Sequence, residues 1–113
     1  MAKENLFMKN AMEKGLIDDR EIAVAADIVC TNGNNGRAWV FLNGSIMQLY
    51  ELAGLADLGA HVETLDLKDA ELIKASSFVL GSSMKLKYKG NVYTFKGFAQ
   101  AKKVIEAVRE SCG

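Results

Sequence analysis

The chain has 113 residues, 50% of them hydrophobic, and sets fourteen Lys and Arg against fourteen Asp and Glu. That length and apolar content suit one globular domain with a core of its own and leave no room for a second. A formal net charge of zero removes the general electrostatic argument for nucleic acid or an anionic membrane surface, so a charge-driven partner needs a local patch.

The opening residues, "MAKENLFMKNAMEKG", mix charge with apolar positions and lack the unbroken apolar run of a signal peptide. No stretch approaches transmembrane length. Within an N-terminal segment of residues 1–16, the spacing of Met8, Ala11, Met12 and Leu16 predicts a helix over 3–14, with Gly15 placed to end it. Its apolar stripe is narrow and needs a neighbour. From residue 20 to 97 the period turns strand-like. "EIAVAADIVCT" puts Ile22, Val24, Ala26, Ile28 and Cys30 on one face.

"CTNGNNGRAW" follows, with two glycines and three asparagines between apolar runs. It reads as a turn whose residues tolerate positive φ without strain. A phosphate cradle would need a helix start or nest of amides together with several cations, and only Arg37 is on offer. "GRAWVFLNGSIMQLYEL" then reads as a hairpin, reversed by a type I′ turn at Asn43-Gly44. "AGLADLG" is a loop or short helical turn, and "AHVETLDL" is a strand of imperfect alternation. "ELIKASSFVL" suits strand or helix equally. In "MKLKYKGNVYTF", Met84, Leu86 and Tyr88 alternate with Lys85, Lys87 and Lys89 until Gly90-Asn91 reverses the chain. Residues 98–112 form an amphipathic helix, with Phe98, Ala101, Ile105 and Val108 on its apolar stripe.

The order is therefore a helix, about seven antiparallel strands and a closing helix, a mainly β, α+β domain. With "MKLKYKGNVYTFKGFAQAKKVIEAV" as last hairpin, link and helix, residues 20–112 resemble the pleckstrin-homology-like and GRAM-like domains. The resemblance implies a bent sheet or partly open barrel plugged by the last helix, with Leu86, Tyr88, Tyr93 and Phe95 lining the interior beneath Phe98, Ile105 and Val108. Eukaryotic relatives bind inositol phosphates through a basic cluster on the first hairpin, of which only Arg37 has a match here. Many also carry a tryptophan in the closing helix, whereas the lone Trp39 lies in a strand. The bacterial, GRAM-like branch is thus the better comparison, and it implies a non-catalytic interaction module, often self-associating.

Catalytic candidates are few. His61 has no nucleophile motif near it, and His61 with Glu63 falls two ligands short of a structural zinc site. Ser76-Ser77 and Ser82-Ser83 lack a hydrolase elbow. Cys30 reads as a small core residue, and its distance in sequence from Cys112 matches neither a metal site nor a disulfide framework, so reduced thiols and a cytoplasmic setting are expected. No cofactor and no metal are expected. Arg37, Lys85, Lys87 and Lys89 are the candidate anion contacts, against the plainer reading that lysines solubilise an exposed strand; they make membrane-surface contact conceivable.

The first hairpin is apolar on both faces. Ala38, Val40, Leu42, Met47 and Leu49 fall on one, and Trp39, Phe41, Ile46 and Tyr50 on the other. A water-facing sheet shows polar residues on its second face. That face should therefore be covered, either by the N-terminal helix laying Phe7, Met8, Ala11 and Met12 over it or by a second copy of the chain. The expected partner is a protein, self or other. The alternative is a barrel that takes a small ligand or lipid headgroup.

Overall fold

The computed structural model describes Lys9 and residues 11–33, 35–52, 58–78 and 81–112. Phe7 and Met8 lie outside these residues, as do most of "AGLADLG". The chain forms β1 (Ala23–Cys30), β2 (Gly36–Asn43), β3 (Ile46–Leu52), β4 (Leu58–Asp66), a 3-10 turn (Leu67–Asp69), β5 (Ala70–Phe78), β6 (Gly81–Tyr88), β7 (Asn91–Lys96) and a closing helix α1 (Ala101–Ser111). All pairings are antiparallel, in the order β4-β3-β2-β1-β7-β6-β5. The two edges, β4 and β5, are joined by three residues only, so the sheet curls until its edges meet at that corner. The Leu67 amide donates to the Ser45 carbonyl at 2.7 Å and fixes the corner to the β2–β3 turn.

The inward faces follow the alternation in the sequence. Ile22, Val24, Ala26, Ile28 and Cys30 are all buried, as are Leu86, Tyr88, Tyr93 and Phe95, in one core with Phe98, Ile105 and Val108. "ELIKASSFVL" resolves as a strand, its pattern broken by a register shift between Leu72 and Lys74 that leaves Ile73 bulged and exposed. The closing helix begins at Ala101 rather than residue 98. Gln100 before it adopts left-handed φ of 53°, and Phe98 belongs to the link, buried, its carbonyl accepting from Ser82 Oγ at 2.7 Å.

Both hairpin turns sit one residue from their expected places. Asn43 pairs with Ile46, so the turn residues are Gly44 and Ser45; only Gly44 has positive φ, 59°, which makes this a type II′ turn and not type I′. Tyr88 pairs with Asn91, so Lys89 and Gly90, with φ of 49° and 84°, form the type I′ turn. A strand's last residue and a turn's first look alike in sequence when both tolerate positive φ; pairing register separates them.

Before β1, residues 11–13 are helical. Gly15, at φ 73°, closes the helix in a Schellman motif: its amide donates to Met12 at 3.0 Å and the Leu16 amide to Ala11 at 2.9 Å. The motif turns Leu16 and Ile17 onto the outer face of the sheet. There they pack with Ala11 on Phe41, which is fully buried, while Ala23, Trp39 and Tyr50 pack around them. Polar contacts hold this arm down. The Gly44 amide donates to Asp18 Oδ2 at 2.9 Å, Arg20 Nη2 donates to the Gly44 carbonyl at 2.8 Å, and Asn43 Nδ2 donates to the Gly15 carbonyl at 2.8 Å. Ser111 Oγ reaches the same Gly44 carbonyl at 3.3 Å, so arm, turn and closing helix meet at one residue.

Candidate functional site

The helix closes the end of the barrel that carries the β2–β3 turn and the 3-10 corner. Towards the other end, by the β1–β2 loop, lies a cavity of about 160 Å³. Its residues come from strands distant in sequence. Ile28, Ala38, Leu49 and Val62 supply aliphatic wall, and Arg37, Glu51, Glu63 and Tyr93 supply polar groups.

Glu63 faces the cavity because it alternates regularly with buried Leu65, and β4 becomes irregular only before it. Leu49 pairs with Glu63 but Tyr50 pairs with His61, leaving Val62 as an extra residue. In a regular strand, positions 61 and 63 share a face; the bulge puts Glu63 with inward Leu49 and His61 with outward Tyr50. The two therefore lie on opposite faces of the sheet, since the regular strand that would set them side by side is interrupted at Val62. His61 is exposed, its Nε2 in contact with Gln48 Oε1 at 2.9 Å and Thr64 Oγ1 at 2.8 Å, its ring edge-on to Tyr50 at 5.1 Å. No group of three or more His, Cys, Asp or Glu among the described residues is placed to hold a metal ion.

Tyr93 is 1% exposed and its hydroxyl donates to Glu63 Oε2. Burial, then the hydrogen bond and charge of Glu63, hold the phenol above its ordinary value of 10.0, so it stays a donor at neutral pH. Arg37 is engaged elsewhere: its Nη1 donates to Asp27 Oδ1 at 3.1 Å across the β1–β2 pair. Among the described residues neither Glu51 nor Glu63 has a basic partner. The cavity is consequently acidic.

The β1–β2 loop turns its polar groups inward. Asn35 Oδ1 accepts from the Cys30 amide at 3.0 Å, the Thr31 amide donates to the Val92 carbonyl at 3.1 Å, and Thr31 Oγ1 accepts from the Val92 amide at 2.9 Å. Asn35 thus ties the loop to the end of β1 and Thr31 ties it to β7. Lys85 and Lys87 are exposed on the outer face of β6, and Lys89 sits in the turn, its Nζ 5.3 Å from the Tyr88 ring centre. Three strand spacings, about 14 Å, separate β6 from Arg37 on β2, so the candidate anion contacts are not gathered at one point. Lys74 faces Lys85 directly across β5 and β6, a pairing invisible in sequence because the bulge at Ile73 creates it.

Of the outward apolar set, Phe41 is enclosed, whereas Trp39, Ile46 and Tyr50 are partly buried and Met12 is 41% exposed. Trp39 pairs with Tyr50, and Leu52, the next outward position of β3, is 38% exposed. Sequence reasoning missed the cavity, since Tyr93 reads as plain core and Glu63 only as a neighbour of His61.

No protein-family model and no curated protein matches this chain. Solved structures do. The apo structure of an activated truncation of Vav1 superposes with a TM-score of 0.66 at 12% identity, over 96% of this chain and 33% of that one. A structure of the Vav1 exchange factor concerned with the structural role of its PH and C1 domains gives 0.65 at 11% identity, again over 96% and 33%. The chain thus spans about a third of the length of the structures it matches. Identity this low speaks for the fold alone: seven antiparallel strands and a closing helix in the pleckstrin-homology-like arrangement. No helix among the described residues is long and apolar enough to cross a membrane.

Proposed function

We propose that the chain is a non-catalytic interaction module that docks a protein, a second copy or another chain, on the outer face of β2 and β3. The observation that carries this is the incompletely covered Trp39–Tyr50 pair, with Leu52 exposed beyond it and Met12 exposed on the arm that packs beside it. Apolar groups left together at a surface mark an interface more often than a solvated face. The bacterial, GRAM-like comparison, made for want of a tryptophan in the closing helix, agrees with a self-associating, cytoplasmic module. The test is to delete residues 1–15 and, separately, to make Trp39→Ser, then measure mass by light scattering and apolar exposure by dye binding. Loss of the oligomer or a change in dye response is expected; unchanged mass, stability and dye response in both variants would refute the reading.

One observation favours a second reading, a barrel that takes a small ligand: the partly enclosed cavity with its buried tyrosine and two carboxylates.

A further inference from the structure

We infer that the cavity at the barrel mouth accepts an alkylammonium group, such as a lysine side chain or a free aliphatic amine presents, with Glu63 and Glu51 as its counter-charges. This rests on the second reading above and goes beyond it by naming the ligand's chemistry.

Two carboxylates alone would not make a site. What makes one here is their placement in a concave space whose other walls are aliphatic. Ile28, Ala38, Leu49 and Val62 present hydrocarbon alongside the two glutamates. An alkylammonium has the matching anatomy, an apolar stem with a charge at one end. The cavity volume of about 160 Å³ is below the ~300–1,000 Å³ of pockets for drug-sized ligands. It fits one side chain better than a sugar headgroup.

Charge points the same way. The lining holds Glu51 and Glu63 against Arg37, and the guanidinium already has Asp27 at 3.1 Å. A phosphate entering would meet two carboxylates that have no basic partner among the described residues. An ammonium would meet Glu63, whose Oε2 is held by the Tyr93 hydroxyl while the carboxylate retains further lone pairs for a new donor. The lysines that would attract an anion lie on the outer face of β6 or in its turn, away from the cavity.

The experiment is an amide NMR titration of the intact chain with four probes: 1,5-diaminopentane, a short peptide with one central lysine, 1-pentanol and inositol hexakisphosphate. The diamine and the peptide are expected to shift the amides of Ala38, Glu51, Val62 and Glu63, and pentanol is expected to leave them in place. A stronger response to the peptide assigns the group to a protein partner, and a stronger response to the diamine assigns it to a free metabolite. Glu63→Gln keeps an oxygen for Tyr93 to donate to and should weaken binding about tenfold, the size expected for one charged hydrogen bond. Glu51→Gln is the second variant should the first not fold. Equal shifts with pentanol, or amine binding that survives both variants, would overturn the inference. Shifts at the mouth with inositol hexakisphosphate alone would overturn it while leaving a ligand-binding barrel standing. Silence from all four probes would remove both.

Discussion

Asp18 shows how one side chain fastens the arm to the sheet. Its carboxylate accepts from the Arg20 and Gly44 amides at 2.9 Å each and pairs with the Arg20 guanidinium at 3.0 Å. Burial works to raise its pKa, but the Gly44 and Arg20 amides and the guanidinium outweigh that and hold it below the ordinary 3.8. A depressed folded value means the stabilisation is present above the unfolded pKa and fades as pH falls through the lower folded one. On acidification below about pH 4, the arm should therefore loosen, seen as a change in Trp39 fluorescence; Asp18→Asn, which has no carboxylate to titrate, should show the loosened signal already at neutral pH and lose that transition. Identical profiles in parent and variant would show that Asp18 does not govern the arm. The pair is partly exposed, so salt should blunt the effect.

At the scale of elements, the closing helix depends on a residue outside it. Phe98 is 5% exposed in the core beneath the helix, and Ser82 holds its carbonyl. Phe98→Ala should cost about 3–5 kcal/mol, read as a fall in the urea midpoint, whereas exposed Lys102→Ala should stay within about 0.5 kcal/mol. A small loss for Phe98→Ala would mean that the helix is held chiefly by its own face. Strands and helix were legible in the sequence because one face of each is buried and the other is wet, which writes a period into the residues. Val24, Ala26 and Ile28, or Leu86 and Tyr88, carry that period plainly. The bulges at Val62 and Ile73 did not show, because an extra residue leaves a local pattern that merely looks imperfect. Those bulges decide that His61 turns outward, away from Glu63, and that Lys74 faces Lys85. The mouth cavity was illegible for a different reason: its residues converge through register between strands far apart in the chain.

Across the whole molecule, the sheet order divides the chain into two local meanders. The first runs β1 to β4, and the second runs β5 to β7 with the closing helix after it; β1 and β7 join them through four pairs, from Asp27–Lys96 to Cys30–Tyr93. That seam links residues more than sixty positions apart, so each meander should form before the seam closes, and closure should be the slow step of folding. The three-residue corner at Leu67–Asp69 has the opposite character. It is the sole covalent link between the halves, yet Lys68 and Asp69 are exposed there and the ladder bonds of the seam lie elsewhere. The chain is thus already partitioned for scission. Separate peptides of residues 1–68 and 69–113 should find each other and restore the barrel, losing mainly the advantage of being tethered. Co-purification of a tagged first peptide with an untagged second one, with the fluorescence of Trp39 and the circular dichroism of the intact chain, is the expected result. Two peptides that never associate would show that the corner is needed to bring the halves together, and that the β1–β7 seam cannot hold them alone.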